Sequence, residues 1–351
     1  MSQIQYNNFT VCSRCVMDTT DPDITFNEKG WCNHCTEFIE KEKQRQLDKT
    51  KLPWLLHRIR KSGKKYDCLI GLSGGVDSSL TLHYLVENGL KPYAYSVDNG
   101  WNTPESDENI MRLVETLKVP FYRYVLDSDK FLELQASFLE ASVANVEIPT
   151  DHMLMASSYE TAVKNDIKYI VSGGNLATEG IMPKAWGYQA RDLKHIKAVY
   201  KYFTRRELTG LPVISLLQYL YYRFIKRIEV VNLLDYYEYN REEAKKLLNE
   251  KYGWKDYGEK HCESAFTVWF QNYYLPTKFN YDKRKPHYSS MINSGQMTRE
   301  DAMRKLTAVL EYPAIMTRKH YMKYPKKTYK HYPNSEFYWN LLSKIYGYIH
   351  K

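Results

Sequence analysis

The sequence predicts an α/β protein: a doubly wound, mostly parallel sheet, with a zinc-binding knot before it and a helical region after it. Three observations carry that expectation. Short apolar runs alternate with helical patterns between residues 66 and 180, four cysteines stand in two close pairs near the start, and the strand pattern fades beyond residue 205. The expected boundaries are 1–50 for the knot and its linker, 51–205 for the sheet domain with its phosphate loop, and 206–351 for a helical region that contributes to the site.

Composition bounds the answer before any motif does. The 351 residues are 43% hydrophobic and 26% charged, the balance of a folded chain with room for more than one core, so disorder is not expected. Fifty Lys and Arg stand against 41 Asp and Glu, and the net charge of +9 suits anionic ligands such as ATP, a nucleotide sugar, RNA or a membrane surface. It does not choose among them. The opening MSQIQYNNFTV has neither a basic n-region nor an apolar h-region, so no export is expected and the cytoplasm is the expected compartment. The most apolar later run, 211–225, is short for a bilayer span and carries Gln218 and Arg223; it reads as a buried helix, with no membrane span expected.

The knot comes first along the chain. CSRC and CNHC place Cys12, Cys15, Cys32 and Cys35 in a C-x2-C-x16-C-x2-C array, the spacing of four-thiolate zinc sites. The residues between the pairs read as a hairpin with an Asn27-Glu28-Lys29-Gly30 turn. Four thiolates close a tetrahedron and leave no position for water, so the zinc role is structural. His34 reads as a solvent-facing loop residue. A charged linker helix follows, and its basic run Arg58, Arg60, Lys61, Lys64 and Lys65 reads as a solvated face rather than an RNA contact, so nucleic acid is not the expected partner.

The sheet begins at YDCLIGLSGGVDSS, residues 66–79, an apolar strand that breaks into a glycine- and serine-rich turn before a helix. Backbone N–H groups and the helix dipole favour a polyanion there. Gly74 and Gly75 let the backbone approach phosphates, and Ser73, Ser78 and Ser79 add hydroxyl donors. The lysine of a G-x-x-x-x-G-K-S/T hydrolase loop is missing, so simple nucleotide hydrolysis is not the expected chemistry. Asp77 cannot donate to a phosphate, and a Mg²⁺ ligand is its sensible role. Further strands at KPYAYSVDNGW, VPFYRYVLD and KYIVSGGNLATEG alternate with helices, so Ser73, Asp98 and Gly173 fall at strand ends, where such sheets bind ligands.

SGGVDSS after a strand resembles the signature of the PP-loop ATP pyrophosphatases, which include NAD synthetase, GMP synthetase, asparagine synthetase and tRNA-thiolating enzymes. The resemblance implies cleavage of ATP between the α and β phosphates, adenylation of a carbonyl oxygen, and displacement of AMP by ammonia or sulfur. It implies that the loop holds the leaving pyrophosphate, that Asp77 and Glu179 hold Mg²⁺, and that the residues from Val97 through Asp98 to Asn99 meet the nucleoside. CSRCVMDTTDPDITFNEKGWCNHC, SGGNLATEG and the stretch 261–303 together resemble the N-acetyl sugar amidotransferases of bacterial surface-polysaccharide biosynthesis. That resemblance implies a synthetase that turns the acetamido group of an activated N-acetyl sugar into an acetamidino group. The relatives act on nucleotide-linked diacetamido-uronic acids for O-antigen, or on nonulosonic acids. They are fed ammonia by a glutaminase subunit resembling that of imidazole glycerol phosphate synthase, with its cyclase-like companion.

The chain carries no glutaminase triad that Cys68 or Cys262 could join. In the late basic segment, Lys283 and Arg284 are the expected groups to neutralise charge on the pyrophosphate or the adenylate. His261 is a candidate for substrate contact or acid–base work, balanced against a lone buried histidine beside a structural Cys262. Asn240 with Glu243 reads as a helix cap, and the tyrosines 219, 221, 222, 236, 237 and 239 as core packing. The main alternative is a tRNA-modifying PP-loop enzyme, which calls for a reactive cysteine pair at the ATP site. Here both pairs sit in the knot. A non-enzymatic scaffold with a degenerate loop is a further alternative, opposed by the intact SGGVDSS.

Overall fold

A computed structural model describes residues 9–258, 260, 262–313 and 319–349. Its centre is a parallel sheet of β1 (Cys68–Gly71), β2 (Pro92–Asp98), β3 (Phe121–Val125), β4 (Tyr169–Ser172) and β5 (Glu229–Asn232), in the order β3-β2-β1-β4-β5. The chain reverses its winding between β1 and β4, so the doubly wound expectation holds. Strand residues alternate between two apolar layers. Leu69, Tyr95, Val97 and Ile170 enter one, and Cys68, Ile70, Ala94, Tyr169 and Val171 enter the other.

Helices cover both faces. Asn33–Lys49 (α1) and Leu52–Ser62 (α2) divide the predicted linker helix in two, with Pro53 in the first turn of α2. Val76–Glu87 (α3) follows β1, and Pro104–Thr116 (α4) follows β2, capped by Thr103 accepting from the Ser106 N–H. Ser128–Ala141 (α5) and Ile148–Lys164 (α6) separate β3 from β4, and the single turn Leu176–Glu179 (α7) follows β4. Beyond Leu193–Thr204 (α8), the described C-terminal region is helical apart from β5: Leu216–Leu220 (α9), Arg241–Tyr252 (α10), Ala265–Trp269 (α11), Leu275–Phe279 (α12), Arg284–Asn293 (α13), Arg299–Leu306 (α14) and Glu336–Ile349 (α15). Asn240 caps α10 as expected, accepting from the N–H groups of Glu242 and Glu243.

The C-terminal half departs from expectation in two places. The run 211–225 is not a buried helix: it becomes α9 and a π-turn over Tyr221–Ile225, with Leu217 77% and Ile225 69% exposed. Leu211 and Ile214 enter the core ahead of the helix, and from α9 and the π-turn Tyr219 and Tyr222 pack on Tyr159. The fifth strand was not foreseen, because its four residues follow directly on that helical pattern.

The four knot cysteines are fully buried, and their sulfurs lie within 4.8 Å of one another. The Cys12–Cys35 and Cys15–Cys32 sulfurs are 3.9 and 3.7 Å apart, far beyond a disulfide bond and suited to a tetrahedral metal such as zinc. Backbone N–H groups of Arg14 and Cys32 point at Cys12 Sγ, as thiolates require. The predicted turn forms, with Gly30 at φ +73° and Asn27 N–H donating to Trp31 O. His34 is buried rather than solvent-facing, 2.6 Å from Asp21. Helices α13 and α14 brace the knot: Ser289 Oγ accepts from Val16 N–H, Asn293 Nδ2 lies 3.3 Å from Cys35 Sγ, and Arg299 donates to the carbonyls of Cys12 and Cys15.

His152 on α6 is fully buried, and its bonds fix a neutral ring. Its Nδ1 lies 2.7 Å from Ala190 O while Nε2 accepts from Ile214 N–H, so the single proton sits on Nδ1. Burial depresses its pKa from 6.5 to about 4. A depressed histidine stabilises the fold fully above its unfolded pKa and loses that contribution as pH falls toward 4. In urea melts, His152→Gln is expected to narrow the stability lost between pH 7 and pH 4.5 by on the order of 2 kcal/mol.

Candidate active site

A cleft of about 1670 Å³ opens at the carboxyl ends of β1, β2 and β4, where the winding reverses. Gly71, Leu72 and Ser73, where the phosphate loop begins, are part of its lining. After Gly71 the chain turns through Ser73, Gly74 and Gly75 and enters α3, with extended Gly75 as the N-cap. Ser73 Oγ accepts from Gly75 N–H at 3.2 Å, and Ser78 Oγ accepts from Ser73 N–H at 3.3 Å. The Gly74 carbonyl is pinned by the buried Trp254 indole at 3.0 Å.

Gly74 lies at φ +78°, and a Cβ there would come within 2.2 Å of Ser106 O on α4. Only glycine fits. Gly74→Ala is expected to cost about 3 kcal/mol or more, because main chain rather than a movable side chain must give way. Gly100, at φ +82° with nothing within 4 Å of its Cβ, is the control. Its alanine variant carries only the backbone strain of about 1–2 kcal/mol. Thermal melts of the two variants check the difference.

Asp77 stands in the first turn of α3, and Glu179 ends α7 after β4. The strand ends are close: a Cβ at Gly173 would lie 2.8 Å from Ser78 N, so Gly173 permits the approach of the two loops. The carboxylates converge on one position. Lys260 Nζ is 2.8 Å from Asp77 Oδ2, 2.7 Å from Glu179 Oε1 and 2.9 Å from Thr178 Oγ1. The Tyr239 hydroxyl donates to Asp77 Oδ1. Burial works against the Asp77 charge, but Lys260 and Tyr239 outweigh it and hold the carboxyl below its usual range. Burial likewise opposes the Lys260 charge, and Asp77 with Glu179 outweighs it, so the ammonium keeps its proton more firmly than usual. Two carboxylate oxygens focused on one cation are a donor set that fits Mg²⁺.

Across the cleft, Glu147 and Asp151 at the start of α6 face Lys283. Glu147 accepts from Thr267 Oγ1, and burial, with Asp151 beside it, lifts its pKa to about 7. Lys283 Nζ lies 3.0 Å from Met182 Sδ and has no ion pair among the described residues. Burial lowers its pKa.

Other sequence-predicted residues have different surroundings. Arg284 lines the cleft beside Lys283, and its guanidinium pairs with Asp282 at 2.8 Å and donates to the carbonyls of Lys305, Leu306 and Ala308 at the end of α14. Of the stretch Val97 to Asn99, Val97 and Asn99 line the cleft, whereas Asp98 pairs with Arg123 and accepts from Gly100 N–H. Ser79 is 1% exposed and packs inside α3. His261 lies outside the described residues. Cys262 lines the cleft, whereas Cys68 sits in the β1 core, where burial raises its thiol pKa. Lys260, Tyr239 and Glu147 were not foreseen. Lys260 directly precedes the HCES stretch, and Tyr239 directly precedes the Asn240 cap, so both lay next to residues already singled out.

Residues 263–316 match the family described as LPS biosynthesis protein WbpG-like, C-terminal domain. That segment is WbpG-like. It supplies α11 to α14, and therefore Thr267, Lys283 and His287 of the cleft as well as the helices that brace the knot. The uncharacterized protein MJ1599 of Methanocaldococcus jannaschii is 26% identical over 170 residues, 47% of this chain and 59% of that protein. The chain thus spans somewhat more than half the length of this curated relative. Similar solved structures include the U34-tRNA thiolase NcsA from Methanococcus maripaludis with its 4Fe-4S cluster, at 15% identity over 88% of this chain and 91% of that one, TM-score 0.34. The NH3-dependent NAD synthetase from Campylobacter jejuni, in complex with the nitrate ion, is 15% identical over 78% of this chain and 99% of that one, TM-score 0.35. NMN synthetase from Francisella tularensis gives 15% over 65% and 92%, TM-score 0.32.

Proposed function

We propose that the protein is the synthetase subunit of an ATP-dependent amidotransferase that adenylates the acetamido oxygen of an activated N-acetyl sugar. Ammonia from a separate glutaminase, with its cyclase-like companion, then replaces that oxygen and leaves an acetamidino group. One observation carries the reading: the phosphate loop, Asp77 and Glu179 meet at the sheet's switch point, in a cleft partly walled by the WbpG-like segment.

The chemistry has a physical rationale. An amide carbonyl is a poor electrophile, because resonance stabilises it and oxide is a poor leaving group; adenylation of the oxygen removes both obstacles. The N-terminus of α3 holds the departing pyrophosphate. Gly71, Val97, Asn99 and Asn102 line the nucleoside side. Magnesium held by Asp77 and Glu179 would neutralise charge on the pyrophosphate. The cleft exceeds the 300–1,000 Å³ of ordinary small-molecule pockets, which leaves room for ATP and a sugar together. Glu147, with its pKa near 7, takes the proton that ammonia loses on attack, and Lys283 across from it stabilises the resulting charges. The tRNA-thiolating alternative lacks its cysteine pair: among the described residues Cys262 is the only cysteine lining the cleft.

The test measures AMP and pyrophosphate release with ATP, Mg²⁺, ammonium and a panel of acetamido nucleotide sugars and nonulosonic acids, beside a tRNA panel. Release that depends on an acetamido sugar is expected. Turnover with tRNA alone, or release of ADP and phosphate, contradicts the proposal.

A further inference from the structure

Lys260 occupies the position that the two carboxylates define, and it is fully engaged there. An ammonium group has three donors, and Asp77, Glu179 and Thr178 take one each. The side chain is only 10% exposed, against 16% for Asp77 and 37% for Glu179. Other charged and polar groups around it are Tyr239, Arg241, Glu263 and His287. Lys260 therefore competes for the same oxygens as a divalent cation, and a bare cation entering beside it meets a like charge in a place water hardly reaches.

Tyr257 and Glu263, three residues to either side of Lys260 in the chain, also lie against the phosphate loop. A Cβ at Gly75 would come within 3.0 Å of the Tyr257 hydroxyl and 3.6 Å of Glu263 Oε1. A polyphosphate seated on α3 is therefore next to the lysine's own segment, and its oxygens offer the ammonium a replacement for the carboxylates.

We propose that Lys260 is an exchangeable counter-ion that makes metal binding conditional on nucleotide. In the free protein it neutralises Asp77 and Glu179. A divalent cation displaces it only when polyphosphate arrives as well and accepts the ammonium. The two ligands then bind as a unit, and the protein does not hold a metal ion at this site without its nucleotide. This rests on the reading of Asp77 and Glu179 as the magnesium ligands.

The experiment titrates Mn²⁺, followed by electron paramagnetic resonance, into the full chain without nucleotide. Wild type, Lys260→Met, Lys260→Gln and Asp77→Asn are compared, with thermal melts confirming that each is folded. Asp77→Asn defines binding at this site and separates it from other manganese. The expected result is Asp77-dependent binding at least tenfold tighter in Lys260→Met and Lys260→Gln than in wild type. Equal, measurable affinities in wild type and the lysine variants overturn the counter-ion role and leave the metal site standing. Absence of Asp77-dependent binding in all of them, with an α,β-methylene ATP analogue as well as without it, overturns the magnesium reading and this proposal together.

Discussion

Asp77→Ala is expected to lower pyrophosphate release by about a thousandfold, the scale seen when one charged partner of a transferring phosphoryl group is lost. The carboxylate touches both Lys260 and the Tyr239 hydroxyl, so its removal also leaves a buried ammonium with one anionic partner where it had two. A stability loss of about 1–3 kcal/mol accompanies the catalytic one. Asp77→Asn separates the two effects. It keeps a side-chain oxygen that can accept from Tyr239 but removes the charge, so it recovers only the hydrogen-bond part of the stability loss while turnover falls almost as far as in Asp77→Ala. Coupled pyrophosphate assays alongside thermal melts read both numbers. Full turnover in either variant contradicts the role given to Asp77.

Loss of the knot metal is expected to reach the cleft as well as the knot. The connection runs through named hydrogen bonds. The knot's Val16 and Cys35 bond to Ser289 and Asn293 on α13. The same helix holds the α7 turn through Ser294 to Ala177 O, His287 to Thr178 O and Ser290 to Ile181 N–H. Glu179 ends that turn. Cys32→Ser, or exhaustive chelation, removes a support that four-thiolate metal sites contribute directly to folding. The expected cost is at least about 4 kcal/mol, a melting temperature lower by roughly 5 °C or more, and weaker binding of an ATP analogue. Elemental analysis is expected to find about one metal ion per chain beforehand. Metal-free protein with unchanged melting and unchanged analogue binding contradicts the bracing role.

Much of this architecture was legible because it rests on local rules. Gly74, Gly75 and Asp77 could be placed between a strand and a helix from the apolar pattern alone, and the cysteine spacing defined the knot without any knowledge of what it packs on. Glu179 was legible only through the resemblance of its loop, and the structure brings it within 2.7 Å of the lysine that also binds Asp77. Lys260 itself was not legible, since a single lysine in a charged chain carries no periodicity or spacing. Arg284 shows the converse. A cation looks the same in sequence whether or not neighbouring carbonyls already engage it, and only the fold shows that Arg284 lines the cleft while also holding the carbonyls at the end of α14. The run 211–225 misled for a related reason: its hydrophobicity said that it packs, and Leu211, Ile214, Tyr219 and Tyr222 do, but one helical turn and a π-turn cannot bury the whole of it. The structure leaves Leu217 and Ile225 in the open.

The most direct test of the proposed chemistry follows one oxygen atom. An acetamido sugar that is turned over is prepared with ¹⁸O in its acetamido carbonyl, the reaction is run with ATP and ammonium, and the AMP is examined by mass spectrometry. Adenylation of the amide oxygen predicts that the AMP carries one ¹⁸O and that the sugar product carries none. Unlabelled AMP, with the label retained on the sugar or found in phosphate, contradicts it.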